Sequence, residues 1–484
     1  MGEPVVTVAV IVVGAGASGT LTALALLRSA AQTGTPLQVT LVDDATGPGP
    51  AYRTSDRLHL LNVTAGGMSA LSDQPEHFLR WARRNLPAGE RVQAGDFLPR
   101  AEYGRYLRHL LATAGQPPGP GRLERVTGRA TQLVTAGPVR VGLSDGRWLS
   151  ADVAVLALGG LPAARPGCPD LAGPGFLPDP WAPGRLEQVA DGRPVLAVGT
   201  GLTMVDVALS ATAAHPDTVV HALSRRGLLP HSHRSPVGMP APFEALPSGD
   251  TTLTQLLAVV RRRLVGHGGD WREVVDGMRP HTQRLWQQLG PAEQRRFLAR
   301  VARYWDVHRH RMAPRVAERV ADLRRTGRLR LYTGRLAQAE PVAGAAGGFD
   351  CRLETAAGTQ VLRPGWIIDC TGPGTDVSAT TDPLLNQLLA SGQGTSDPHR
   401  LGLDTAPTGA LIDRAGWPSD RLFAVGPLRR GTLYESTAIP EIRAQAGELA
   451  ELVVAEWGRR LPATRTSPDP DRAKQPVTGE VPAR

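Results

Sequence analysis

The first residues of this sequence that could do chemistry are three glycines, Gly14-x-Gly16-x-x-Gly19, in the run VVGAGASG. Glycine at the first position allows a tight turn. At the second it lets a phosphate approach bare backbone, and at the third it lets a helix pack close on a strand. The N–H groups that begin such a helix have no partner inside it and can receive the charge of a pyrophosphate. Ser18 sits in the same turn and is counted with the glycines. An acid should follow the next strand to hold ribose hydroxyls. Asp43 stands there, 24 residues after Gly19 (43 − 19). Glycine spacing alone would also fit a structural turn. With a strand before it, a helix after it and the acid in place, it predicts a dinucleotide site.

A second copy reads Gly199-x-Gly201-x-x-Met204. Methionine at the third position departs from the pattern and relaxes the packing requirement. No acid follows the next strand. Arg225 and Arg226 come instead, beginning 24 residues beyond Gly201 (225 − 201). A guanidinium fork suits the 2′-phosphate of NADPH, whereas an acid would suit the free ribose of NADH. The competing reading is a solvated basic turn in an arginine-rich chain.

The run WDVHRHR, Trp305 to Arg311, gathers four basic or titratable side chains. Such groups are costly to bury without an anionic partner. His308, Arg309 and Arg311 are therefore candidates for a substrate carboxylate or the nucleotide phosphates. A helical turn whose basic face is solvated or paired with acids fits equally well. His308 and His310 diverge on a helix, so no zinc site, and no metal, is expected. His231 and His233, in LLPHSHR, could sit where two domains face each other, and join the substrate candidates; a loop histidine is more often a satisfied polar residue. The cysteines, Cys168, Cys351 and Cys370, form no C-x-x-C pair. Neither a zinc ribbon nor a dithiol relay is suggested.

The elements that must position these residues follow from the apolar pattern. VTVAVIVV (6–13) is short, β-branched and continuous, the signature of a buried strand, and a helix over 18–32 and a strand over 37–42 follow. The pattern restarts with PVLAV at 194, a helix over 202–213 and a strand over 218–223. The predicted class is α/β with two Rossmann-like dinucleotide domains. A Pro-rich connector at 162–184 marks a domain crossing, 251–325 is mostly helical, and WIIDCTG (366–372) and LFAVGPL (422–428) are strands ending in glycine or its neighbour. A helix is expected over 438–457, and residues 461–484 form a polar, Pro-rich tail expected to be disordered.

The chain has 484 residues and a formal net charge of +9, with 54 Lys+Arg, of which only Lys474 is lysine. That skew matches a GC-rich genome better than a nucleic-acid footprint, because the arginines are scattered among acids and aromatics are only 5%. No nucleic-acid partner is expected. No apolar run is long enough to cross a membrane and no basic leader is evident, which suggests the cytoplasm. Assembly as a homo-oligomer is left open.

The segments VVGAGASG, HLLNVTAGGMSAL (59–71), HFLRW (77–81), FLPRAEYGRYL (97–107), VGTGLTMVD (198–206), WDVHRHR and VGPLRRGTLYESTAIPEIRAQA (425–446) resemble bacterial FAD/NAD(P)-binding flavoproteins. These are related to the two-dinucleotide-domain flavin monooxygenases of the N-hydroxylating type. The resemblance runs from about residue 6 to 457. It implies a discontinuous FAD domain, 1–178 and 365–460, with an NADPH domain inserted at 179–364 and a helical elaboration at 250–325. It places Asn62, Met68 and Gly426, with the helix after it, near the flavin. Arg100, Tyr103 and Tyr106 are candidates for the flavin or substrate pocket, although the tyrosines' spacing also fits core packing. The implied activity is an NADPH-dependent monooxygenase that uses O2 on the amino nitrogen of a small molecule in bacterial secondary metabolism, such as antibiotic biosynthesis. Aspartate oxidised to a nitroso or nitro product is one expectation, clamped by arginines. No catalytic protein acid or base is assigned. The alternatives are an NADPH-dependent flavin oxidoreductase or oxidase without oxygen transfer, and a non-catalytic flavin-binding regulator.

Overall fold

The computed structural model describes residues 7–45, 47–87, 91–116, 119–163, 171–243, 251–342 and 347–460. The expected disordered tail, 461–484, lies outside them, as does Cys168. Residues Val8–Val13 form the central strand of a six-stranded sheet, and the helix Ala17–Thr33 begins directly after the glycine turn. The strand pairs in parallel with Leu37–Asp43 on one side and Val153–Leu156 on the other. Gly121–Thr127 extends the sheet beyond Leu37–Asp43. Pro418–Ala424, from far along the chain, adds in parallel to Val153–Leu156, and Ala410–Ile412 closes that edge antiparallel.

Side chains alternate across this sheet, as strand geometry requires. Val8, Val10 and Val12 pack against the helices Ala17–Thr33, Arg100–Thr113 and Ile439–Gly458. Ile11 and Val13 face the other way, toward a three-stranded antiparallel sheet (Ala130–Val134, Val139–Leu143, Trp148–Ala151) and the helix Pro383–Ser391.

A second sheet of seven strands repeats the plan. Val195–Val198 is flanked in parallel by Val220–Ser224 and Trp366–Asp369. Leu329–Pro341 follows Val220–Ser224, and the antiparallel strands Phe349–Thr355 and Gly358–Leu362 extend that edge. Phe176–Leu177 pairs with Trp366–Asp369 on the opposite edge. Both of these strands therefore hydrogen-bond into the second sheet, although the sequence boundaries at 178 and 365 assign them to the first unit. Buried main-chain groups must be paired, and these strands find their partners beside Val195–Val198.

The helices Leu202–Ala214 and Pro314–Arg325 cover one face of the second sheet through Met204, Val205, Val316 and Val320. The latter is thus the ordinary crossover helix between two parallel strands. The helical insertion proper spans Leu253–His267 to Ala302–Arg309. It has its own small core of Phe243, Leu256, Met278, Leu285 and Leu289.

Candidate functional site

The two glycine turns are built alike. Gly14 has φ +102, and a Cβ there would lie 2.5 Å from the Ala157 carbonyl oxygen, just past the neighbouring strand. Gly199 has φ +116, and a Cβ there would lie 2.2 Å from the carbonyl oxygen of Cys370, at the same place in the second sheet. The strand ending in DCTG is therefore the counterpart of the one ending in LALGG. Gly16 and Gly201 begin the two helices, and neither helix start is capped by a side chain. A Cβ on Gly16 would meet only the Gly49 Cα, at 3.7 Å, and one on Gly201 would meet nothing within 4 Å. Both helix starts are open to an anion.

The third positions differ. A Cβ on Gly19 would lie 1.7 Å from the Gly14 carbonyl oxygen, so the first helix tolerates no side chain there. Met204 is fully buried in the second core. Asp43 accepts hydrogen bonds from the Ala15 and Ala45 N–H groups, which fixes its carboxylate beside the first turn. Burial pushes its pKa up, partly offset by those N–H groups. Ser18 is buried under Gly426, whose φ is +84 and whose Cβ would lie 2.5 Å from the Ser18 Oγ. The Gly426 N–H donates to the Gln445 Oε1 at 2.9 Å. Gly426 is followed by a short 3-10 turn and the four-residue helix Arg430–Leu433, and the long helix begins only at Ile439. Ser436 Oγ and Gln445 Nε2, on the same stretch, are buried without a partner.

A cleft of about 1680 Å³ opens from the second turn. Its walls come from Gly199–Leu202, the Arg225–Arg226 turn, the insertion from Leu298 to His310, and the segment Arg430–Thr437 of the first unit. It thus runs from the second glycine turn to the chain that continues from Gly426. Arg225 and Arg226 are both exposed at its mouth. Thr200 Oγ1 donates to the Leu228 carbonyl and accepts from Ser224 Oγ, which pins the loop that carries the arginines.

Other expected site residues have partners within the protein itself. Arg100 pairs with the buried Asp206 on the helix Leu202–Ala214, at 2.8 Å, and donates to the Leu60 carbonyl. It joins the two units rather than facing the cleft. Tyr103 and Tyr106 are fully buried against Phe78 and Trp81, so core packing wins over the pocket reading. Met68 is buried in the same core. The Asn62 carbonyl accepts from His233 Nε2 at 3.1 Å. His233 does lie between the units, its ring tilted against that of Phe97 with centroids 4.9 Å apart, and burial pushes its pKa down to about 4. His231 does not. It packs against Trp271 and His308 on the insertion, with ring centroids 5.2 and 4.4 Å away. Among the described residues no cluster of three or more His, Cys, Asp or Glu is arranged to hold a metal ion.

The basic run resolves toward pairing with acids. Arg309 is buried between Glu441, at 3.0 Å, and Glu435, at 3.7 Å. Arg311 is 2% exposed and pairs with Asp276. Arg279 makes a two-pronged contact with Glu441, at 2.6 and 2.9 Å. Arg309 and Arg311 thus each already have a carboxylate partner within the protein, as a buried guanidinium requires. His308 Nδ1 contacts the Tyr304 carbonyl of its own helix.

Sequence reasoning missed Glu435, which lines the cleft and accepts from Trp305 Nε1 at 2.7 Å. It also passed over Tyr434, a non-glycine residue at φ +58 in the cleft wall. A backbone held there is a recognised mark of functional segments. His310 lines the cleft too, and burial lowers its pKa.

Residues 11–161 match a family model described as FAD-NAD(P)-binding. No match to a curated protein was found. Among solved structures, L-lysine 6-monooxygenase from Pseudomonas syringae is 16% identical with a TM-score of 0.64, covering 93% of this chain and 99% of its own. Ornithine hydroxylase from Pseudomonas aeruginosa is 17% identical with a TM-score of 0.60, covering 93% and 100%. The ornithine N-hydroxylase of Kutzneria sp. 744, solved with reduced FAD, NADP+ and L-ornithine, is 14% identical with a TM-score of 0.60, covering 93% and 100%. The segment 11–161 thus matches an FAD-NAD(P)-binding family model, and the chain has the fold of these solved enzymes.

Proposed function

We propose that this protein is an FAD- and NADPH-dependent monooxygenase that places one oxygen atom of O2 on the amino nitrogen of a small molecule. One observation carries the reading: two uncapped glycine turns follow parallel strands of two separate sheets, and one cleft joins the second turn to the segment that follows Gly426. Gly14, Gly16, Ser18, Gly19 and Asp43 would hold FAD, with Gly426, Ser436 and Gln445 toward its far end. The open face of Gly16 and the unpartnered Ser436 Oγ and Gln445 Nε2 fit such a group. Gly199, Gly201 and Arg225 would hold NADPH. When bound, the flavin accepts hydride from the nicotinamide and activates O2; the protein orients the partners and excludes water. The balanced reaction converts R–NH2, NADPH, H+ and O2 into R–NHOH, NADP+ and water.

The neighbours named above act on ornithine and lysine, and these diamino acids lead the candidate substrates. Aspartate falls behind, because Arg100, Arg309 and Arg311, three arginines that could clamp its carboxylates, are held by Asp206, Glu441 and Asp276. The test is NADPH consumption in air by the purified yellow protein, with peroxide quantified, over ornithine, lysine, small monoamines and aspartate. A coupled monooxygenase consumes NADPH faster with its substrate and without matching peroxide. Peroxide equal to NADPH for every compound would overturn oxygen transfer.

A further inference from the structure

Five arginines line the cleft: Arg225, Arg226, Arg303, Arg335 and, on the first-unit segment, Arg430, whose guanidinium carbon lies 5.2 Å from the centre of the Tyr434 ring. They are not equally available. Arg335 is clasped by Glu354, at 2.5 and 2.6 Å. Arg226 donates to the Ala299 carbonyl at 3.0 Å, and its guanidinium carbon lies 5.9 Å from the centre of the Tyr304 ring. It already ties the nucleotide turn to the insertion. Arg225 has no hydrogen bond or ion pair among the described residues. Arg303 has one exposed pair, at 3.3 Å to Asp306 on its own helix. Such a pair is weak and readily exchanged for a dianion.

The Arg226–Tyr304 contact brings the nucleotide turn and the start of the helix Ala302–Arg309 together, and Arg225 and Arg303, each next in sequence to one of these residues, both line the same cleft. We infer that Arg303, on the helical insertion, completes the 2′-phosphate site with Arg225, so that the insertion itself selects NADPH over NADH. The inference rests on the NADPH reading above and adds to it a residue outside the Rossmann-like unit. A phosphate gripped from two elements would be held by two charge-assisted contacts in place of one solvated arginine.

The test is calorimetric titration of the full-length flavin-loaded protein with 2′,5′-ADP and with 5′-AMP. These probes differ only in the 2′-phosphate and need no substrate. Arg303→Ala is expected to raise the Kd for 2′,5′-ADP about tenfold, the size of one lost charge-assisted contact, and to leave that for 5′-AMP unchanged. Arg303→Gln, which keeps the length and polarity of the side chain, is expected to do the same, and unchanged flavin content certifies the fold. If Arg225→Ala weakens 2′,5′-ADP while both Arg303 variants bind it like the parent, the inference is overturned and the NADPH reading stands. Equal affinity of the parent protein for both probes would overturn the NADPH reading and the inference with it.

Discussion

Gly16 and Gly19 stand three positions apart at the start of the first helix and do different work. Space lies in front of Gly16, whereas Gly19 has the Gly14 carbonyl pressed against it. Gly16→Val is therefore expected to give a folded protein that purifies without flavin, because the branched side chain occupies the phosphate approach. A variant that stays yellow would remove FAD from this turn. Gly19→Ala is expected to lower the melting temperature, because helix and strand must part. Arg100 poses a different residue-scale question. Its partner Asp206 is buried, with a pKa raised by that burial despite the arginine's opposing charge. Arg100→Ala should cost about 3–5 kcal/mol of unfolding free energy, since it strands a buried carboxylate. Replacing both residues by apolar ones of similar size should recover most of the loss, as read by denaturant titration.

At the scale of elements, the joint between the units is the informative place. The loop after Val220–Ser224 reaches back with His233 to the Asn62 carbonyl in the first unit. Its imidazole titrates near 4, against the ordinary 6.5, chiefly because it is buried. The unfolded chain therefore binds the extra proton between those values. Stability contributed by the neutral ring is fully present above about 6.5 and is lost as pH falls toward 4. His233→Gln should flatten the thermal-stability profile over that window. An unchanged profile would mean that the folded protein does not depress the pKa of this ring.

At the scale of the molecule, the insertion is held to the first unit by charges. Glu441, on the first-unit helix Ile439–Gly458, bonds Arg279 and Arg309 of the insertion, and Trp286 Nε1 donates to the Gly431 carbonyl at 2.6 Å. Burial pushes the Glu441 pKa up, but the hydrogen bonds and charge of Arg279, with the charge of Arg309, outweigh it and leave it depressed. Its contribution is present above the ordinary carboxylate range and lost as pH falls through the depressed value. Glu441→Ala should leave Arg309 buried without its closest partner. We expect faster limited proteolysis within 253–309 and a lower melting temperature. Equal cleavage rates would show that apolar contacts suffice to seat the insertion.

The sequence alone determined the two glycine turns and the strand and helix on either side of each. Strand, glycine spacing and helix are local patterns, and φ > 0 at Gly14 and Gly199 follows from what the backbone must do within a few residues. The same locality exposed Arg225 and Arg226 as a basic turn. The tertiary structure decided which charges are spent. Arg100, Arg309 and Arg311 each meet an acid more than 30 residues away in the chain, and a buried guanidinium is neutralised by what packs beside it, which local pattern does not encode. It also joined Trp366–Asp369 to the second sheet, because main-chain pairing selects the neighbour in space. By the same folding it brought Arg303 of the insertion to the cleft that Arg225 also lines.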